Sequence, residues 1–286
     1  MAGSIVETIT PLILTYNEAP NLHRTLGQLG WAKRIVVIDS YSTDETLQVL
    51  SCYPQVELYQ REFETFAAQC NYGLQLILSE WVLSLDADYL LTDELVAELK
   101  SLQPSAATNA YWAKFKYCIY GTPLRGTLYP PRKVLYRRES AIYEDDGHAH
   151  HVHVAGKTDW LSSCILHDDR KPLSRWLASQ DRYMIREVEK LRQTPVAQLS
   201  LIDRIRRGKI FAPFIVFFYC LILKRCALDG WPGWYYALQR ALAEVLLAVR
   251  LIENEKLSPQ PDISGNDRIP SENLQERGPF SLKDSN

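Results

Sequence analysis

Four apolar runs in the N-terminal third of the chain, each followed by a stretch of helical character, constrain the fold more than any other feature. They are Ile9-Thr10-Pro11-Leu12-Ile13-Leu14-Thr15, Arg34-Ile35-Val36-Val37-Ile38, Val56-Glu57-Leu58-Tyr59 and the run that begins at Trp81. Between them residues 20–29 and 65–78 read as helices, and Ser42-Thr43-Asp44-Glu45 has the arrangement of a capping box opening another. A further helix is expected over residues 92–102. Strands this continuously apolar must be covered on both sides, so the pattern predicts an α/β domain with a mainly parallel sheet flanked by helices. Ligands of such a sheet bind beyond the carboxyl ends of its strands. Asn17, Glu18, Asp39, Asp86 and Asp88 all fall there. No Gly-x-Gly-x-x-Gly or Walker-type glycine loop is present, which excludes an ordinary dinucleotide fold and a P-loop enzyme.

Leu83-Ser84-Leu85-Asp86-Ala87-Asp88 delivers two carboxylates, one residue apart, to the end of an apolar strand. Mg²⁺ or Mn²⁺ suits such a pair, because hard cations take a few carboxylates and complete their shell with phosphate oxygens and water. The competing reading is a surface loop in which the spacing arises by chance. Asp39 ends a buried strand, where a lone carboxylate is costly unless something binds it. Asn17 and Glu18 have an alternative role as caps of the helix near Pro20, and Asp44 is read as serving the dipole of its own helix.

Three blocks together, Thr15-Tyr16-Asn17-Glu18, Val37-Ile38-Asp39-Ser40 with Ser42-Thr43-Asp44, and Trp81 to Asp88, carry a resemblance over residues 9–254. The chain resembles the family 2 inverting glycosyltransferases of GT-A fold. Phe66-Ala67-Ala68-Gln69-Cys70-Asn71 is similar to the Phe-Ala-x-Gln-Arg-Asn segment of the branch related to lipopolysaccharide-core transferases, with Cys70 in place of the arginine. The resemblance implies that Thr15, Asn17, Glu18 and Asp39 border the nucleotide pocket, with Asp39 on base or ribose. It also implies that Asp88 ligates the metal and that Asp86 stands on its sugar side. A histidine near position 167 approaches diphosphate or metal in relatives, so His167 is expected either to complete the metal shell, as imidazole suits Mn²⁺, or to be a buried, hydrogen-bonded core residue.

Beyond residue 102 the segments 111–117 and 133–137 alternate like half-buried strands and are expected to extend the sheet toward the acceptor. The loop 121–132 offers Arg125 or Arg132 to phosphate, with surface solvation as the alternative. Glu144-Asp145-Asp146-Gly147-His148-Ala149-His150-His151-Val152-His153 is the second chemically dense segment. Its histidines lack the spacing of a zinc module. A carboxylate here suits the base that takes the acceptor hydroxyl proton, and family 2 enzymes place theirs in this region. Asp146 is the first choice and Asp145 the second, with His148 as partner or base; the plain alternative is an acidic turn before a strand.

A chain of 286 residues with 47% hydrophobic content can bury a full core, and a formal net charge of −2 argues against a nucleic-acid partner. The six cysteines show no Cys-x-x-Cys spacing, and no basic-then-apolar leader opens the chain, which fits a reducing cytoplasm. Residues 210–223 are strongly apolar but shorter than the roughly 20 residues that a spanning helix needs. Arg204, Arg206, Arg207 and Lys209 precede them and Lys224 and Arg225 follow, which suits an anionic membrane surface. Residues 233–252 read as an amphipathic helix, and the alternative to membrane attachment is a soluble helical hairpin packed on the catalytic domain. The expected division is a catalytic domain over 1–170, a helical membrane-associated region over 171–254, and a disordered tail over 255–286. The function expected is transfer of a sugar from a nucleotide sugar, a UDP-sugar being favoured, to a lipid-linked or membrane-proximal glycan, at the cytoplasmic face of the inner membrane, with self-association open. The rivals are a silent nucleotide-sugar-binding scaffold and a metal-dependent nucleotide-sugar hydrolase.

Overall fold

The computed structural model describes residues 5–146 and 149–257. In chain order its elements are β1 (Ile9–Thr15), α1 (Ala19–Gly27), β2 (Ile35–Asp39), α2 (Thr46–Ser51), β3 (Val56–Gln60), α3 (Phe66–Leu76), β4 (Trp81–Asp86), β5 (Tyr89–Leu91) and α4 (Asp93–Ser101). Then come β6 (Thr108–Ile119), β7 (Thr122–Pro123), β8 (Arg132–Arg137), β9 (Ala141–Asp146), β10 (Ala149–Val154), β11 (Lys157–His167), α5 (Leu173–Gln193), α6 (Leu201–Arg207), α7 (Ala212–Phe218) and α8 (Trp231–Leu257). The main sheet runs β3-β2-β1-β4-β8-β6-β11-β5, with β7 pairing the end of β6; β9 and β10 form a separate hairpin.

The first four strands of that order are mutually parallel. Beyond them the sheet becomes mixed, since β8 runs antiparallel to both β4 and β6, and β5 antiparallel to β11. Parallel neighbours need a crossover, supplied by α1, α2 and α3 in the first half; β6 and β11 are also parallel, joined through β8 and the β9–β10 hairpin. The order reverses at β1, which pairs with β2 on one side and β4 on the other. The topological switch point, and with it the crevice for a ligand, therefore lies at the carboxyl ends of β1 and β4.

Both faces of the parallel half are covered. Ile13, Val37, Leu83 and Leu85 pack with Leu22 and Leu26 of α1 and Leu95 and Leu99 of α4. Leu12, Val36, Ile38 and Val82 pack on the opposite face with Ala67, Cys70 and Leu74 of α3 and with Tyr143 of β9. Gly73 lets α3 sit hard against β1, for a Cβ there would meet Leu12 Cδ1 at 2.4 Å. Cys70 is buried within this layer. Gln69 and Asn71, its neighbours in the motif, have framework roles: Gln69 donates to Ser40 Oγ at 3.1 Å, and Asn71 exchanges two 2.9 Å bonds with the Tyr143 backbone.

The C-terminal helices dock on the far end of the sheet and on each other. Ile119 and Leu124 meet Cys220, Cys226 and Tyr236. Val188 and Leu191 of α5 meet Leu247 and Leu251 of α8. The amphipathic helix expected over 233–252 is longer, running from Trp231 through Leu257 into the segment expected to be tail. No described helix is long and apolar enough to cross a membrane.

Candidate active site

Strand register sets the floor of the crevice, with Thr15 beside Asp39 and Leu14 beside Asp86. Asp39 is fully buried, and the protein supplies its donors. Thr15 Oγ1 at 3.0 Å and Ser42 Oγ at 2.5 Å donate to Oδ1, while Ser42 N at 2.9 Å and Gln60 Nε2 at 3.2 Å donate to Oδ2. The desolvation cost that pointed to a ligand is thus met internally, so the burial of Asp39 does not by itself require one.

Asn17 turns the chain out of β1 in the left-handed region, φ 56°, where asparagine is among the better tolerated residues. Its Oδ1 accepts from the Thr43 and Asp44 amides at 2.7 and 3.3 Å, and its own amide donates to Ser42 Oγ at 2.7 Å. The capping box expected at Ser42 does not form, because Ser42 is turned to Asp39 and Asn17. Asp44 takes over the capping: Oδ1 accepts from Thr46 N at 3.0 Å and Oδ2 from Ala19 N at 3.4 Å, at the starts of α2 and α1. Arg175 of α5 donates to the Asn17 and Tyr16 carbonyls at 2.5 and 2.7 Å, closing a helix over this loop.

Asp86 and Asp88 part at the end of β4. Asp86 is half-buried. Asp88 turns inward to meet β11, where β5 pairs Tyr89 with His167 and the Asp88 carbonyl accepts the Asp168 amide at 3.1 Å. Asp88 Oδ2 and His167 Nε2 lie 3.2 Å apart. Tyr129, Tyr117 and Tyr89 stand edge-on around the imidazole, with ring centroids 4.6, 4.8 and 5.4 Å away. Burial disfavours both charges, yet each stabilises the other: the Asp88 carboxyl is held down at about 2, and the His167 imidazolium is favoured by the Asp88 charge.

The described residues do not by themselves form a metal site at this pair. Asp88 Oδ1 and His167 Nδ1 are buried and have no hydrogen-bond partner among the described residues; because Nε2 is turned to Asp88, Nδ1 faces away from it, and an ion shared by the two side chains would have to replace the Nε2–Oδ2 contact. No group of three or more His, Cys, Asp or Glu is placed to hold a metal among those residues. Two protein donors suffice for Mg²⁺ or Mn²⁺ only when substrate phosphate and water fill the rest of the shell. Of the two roles the sequence allowed, the geometry shows His167 as the buried, hydrogen-bonded residue.

The family model for glycosyl transferase family 2 matches residues 12–162, more than half of the chain. The chain belongs to that family. Its sheet and helices make the GT-A-like α/β fold expected of a family 2 member. It is 36% identical over 90 residues to the SPbeta prophage-derived glycosyltransferase SunS of Bacillus subtilis, covering 30% of this chain and 21% of SunS. It is 27% identical over 114 residues to an uncharacterized glycosyltransferase of Rickettsia conorii, 40% of each chain. The match thus spans a fifth to two fifths of the length of these relatives. Among solved structures, Staphylococcus aureus TarS 1–349 in complex with UDP-GlcNAc overlaps 87% of this chain and 91% of its own, with TM-score 0.43 and 15% identity. Glucosyl-3-phosphoglycerate synthase from Mycobacterium tuberculosis, in complex with Mn²⁺, UDP and phosphoglyceric acid, overlaps 68% and 82%, with TM-score 0.42 and 15% identity. These likenesses leave donor and acceptor of the present chain open.

The family 2 site also contains residues that sequence reasoning passed over. Lys171 Nζ lies 2.5 Å from Glu18 Oε1 and 3.6 Å from Asp169 Oδ1. Burial nevertheless raises the Glu18 carboxyl to about 7, with Asp88 adding to the rise and Lys171 opposing it. Several acids face one ammonium here, so the lysine is favoured in its charged form while one carboxyl tends to hold its proton. Asp168, 1% exposed, takes Arg24 at 2.5 Å, Arg170 at 2.9 Å and the Gly121 amide at 2.9 Å, and so ties α1 to the end of β11. The only sequence signal was the density of charge in His167-Asp168-Asp169-Arg170-Lys171. The expected boundary near residue 170 falls inside this cluster.

The two arginines of the 121–132 loop separate. Arg125 is engaged by Asp229 at 3.1 Å, away from the crevice. Arg132 lies over the Tyr129 ring at 5.1 Å, close enough to Asp86 for that charge to favour its guanidinium. The β9–β10 hairpin pairs Asp145 with His150 and Asp146 with Ala149. The side chains of Asp145 and Asp146, and His148 altogether, lie outside the described residues. Glu144 and His153 form an exposed pair at 3.3 Å.

Proposed function

We propose that this family 2 protein is an inverting glycosyltransferase that moves a sugar from a nucleotide sugar, a UDP-sugar being favoured, to a lipid-linked or membrane-proximal glycan of the cell envelope. The observation that carries the reading is the convergence of Thr15, Asp39, Asp86, Asp88 and His167 at the switch point of the sheet. A Mn²⁺ or Mg²⁺ ion held by Asp88 and His167 would supply positive charge to the departing diphosphate. Thr15, Asn17, Glu18 and Asp39 shape the nucleotide side, while Asp86 stands on the sugar side and Arg132 is offered to phosphate. A carboxylate of the β9–β10 hairpin, Asp146 before Asp145 and with His148 beside it, takes the acceptor hydroxyl proton as that oxygen attacks the anomeric carbon from the face opposite the nucleotide.

The same reading places the protein peripherally on the cytoplasmic face of the inner membrane. Phe214, Ile215, Phe218, Tyr219, Ile222 and Leu223 line an apolar hollow on α7 and the π-helical turn that follows it. Phe214 is 63% exposed and Leu223 70%. A contiguous apolar surface of this kind marks an interaction site, and its basic surroundings favour anionic lipid.

The test is product analysis with purified protein, a panel of nucleotide sugars, Mn²⁺ and detergent-solubilised lipid-linked acceptors. Transfer with inversion of anomeric configuration is expected, and a retained configuration would refute the mechanism. Asp88→Ala is expected to weaken Mn²⁺-dependent binding of UDP by about 100-fold; the backbone bond from Asp168 to the Asp88 carbonyl is kept, while loss of the buried partner of His167 lowers stability as well, so binding is compared on protein shown to be folded. Undiminished binding would sink the metal assignment.

A further inference from the structure

Lys171 has no part in the reaction as derived above, yet its ammonium is driven into the carboxylate end of the sheet instead of out to solvent. Its side chain is 16% exposed. The chain around it is anchored on several sides. The Lys171 amide and Asn21 Nδ2 both donate to Asp169 Oδ1 at 3.1 Å, and Asn21 Oδ1 accepts the Arg170 amide at 3.1 Å. Asn21 is itself fully buried, and Arg24 and Arg170 lock the neighbouring Asp168. Arg175, one helical turn further on, grips the Asn17 loop.

An ammonium has three N–H donors. Among the described residues Glu18 is the carboxylate within hydrogen-bond distance of Lys171, Asp169 being at 3.6 Å, so donors remain for a ligand. The Asp88 charge is also near enough to favour the ammonium. Lys171 thus contacts Glu18, the residue expected to border the nucleotide, and feels the charge of Asp88, the residue expected to hold the metal. The group of a nucleotide sugar that fits there is the diphosphate, whose charge would otherwise meet Glu18, Asp88 and Asp169 unscreened.

We propose that Lys171 is a diphosphate-binding residue, its ammonium donating to a phosphate oxygen of the donor while Glu18 and the Asn21–Asp169 cluster hold it in position. This rests on the nucleotide-sugar reading above. A lysine offers a rotatable point charge that can keep its contact with Glu18 and still reach an anion.

The experiment is calorimetric titration of UDP and of uridine, in Mn²⁺, into wild type, Lys171→Met and Lys171→Arg. Lys171→Met is expected to weaken UDP by about 10- to 100-fold and to leave uridine unchanged, because uridine lacks the diphosphate. Lys171→Arg is expected to recover most of the loss. Equal weakening of UDP and uridine, or no weakening of UDP, would overturn the assignment and leave the donor reading standing. Wild type that binds no nucleoside diphosphate at all would refute that reading and this inference with it. Should Lys171→Met not fold, Lys171→Gln gives the same comparison.

Discussion

The carboxyl ends of β1, β2 and β4 and the surface of α7 are opposite solutions to the same problem. At the strand ends almost every polar group is held by another: Asp39 by Thr15, Ser42 and Gln60, Asn17 by the 42–44 loop, Glu18 by Lys171 and Asn21. At α7 the large apolar side chains are left facing outward, with Phe211 and Ile222 each 66% exposed. Preorganised polar groups cost little to rearrange when an ion or diphosphate arrives, which suits recognition of one geometry. An exposed apolar face has no geometry to enforce and suits a partner that is extended and fluid. On the function proposed above, the contrast separates the part of the molecule that would select a ligand from the part that would select a surface.

Substitutions at the strand ends should therefore act through stability as much as through binding. Asp39→Ala strands three side-chain donors and one amide, and is expected to cost about 3 kcal/mol or more in chemical denaturation. A loss under about 1 kcal/mol would mean that the network is looser than its geometry.

Glu18 gives the next effect, with a definite sign. Its folded-state carboxyl sits at about 7 against an ordinary 4.5, so between those values the native state binds more protons than the unfolded chain. Stability then falls as pH rises from about 4.5 to 7, by about 3 kcal/mol. Glu18→Gln is expected to flatten that stretch of the profile measured in the absence of divalent metal. A slope that survives the substitution would assign the proton to another group.

The effects expected at α7 are on surface binding and not on folding. Phe214→Ser with Phe218→Ser is expected to remove about 1.5–3 kcal/mol per phenylalanine from the salt-resistant part of binding to anionic liposomes at full insertion, and less at partial insertion. Gln at Arg207, Lys224 and Arg225 should remove up to about 1 kcal/mol each from the salt-sensitive part. Arg206 and Lys209 do not belong in that set, despite their place in the sequence. Arg206 is bound to Glu244 at 2.6 Å and Lys209 to Glu255 at 2.5 Å. Protein that ignores anionic liposomes at low salt would assign the α7 surface to another partner and remove the second half of the contrast.

Much of the donor half was legible because it is local. Apolar runs set β1, β2 and β4, and each run's polar ending set which residues gather at the crevice, since parallel strands share one carboxyl edge. Sequence alone also identified Asp86-Ala87-Asp88 and the charged hairpin as the dense points of the chain. It misjudged what each polar group does with its bonds. Ser42 read as a cap and is instead shared by Asp39 and Asn17, while Asp44 caps two helices from loops brought together by the β1–β2 pairing. Arg206 read as a lipid contact and is the partner of a buried glutamate on α8.

What the sequence by itself determined was the alternation of strand and helix, the parallel edge on which Asp39, Asp86 and Asp88 stand, and the short apolar run with basic flanks. These follow from side-chain periodicity, which is a property of neighbours in the chain. Only the tertiary structure decided that Asp88 would meet His167, 79 residues away, and that Lys171 would point at Glu18, because both contacts depend on the pairing of β5 with β11. A hydrogen bond is indifferent to sequence separation, so no local pattern announces which buried acid a distant base will find.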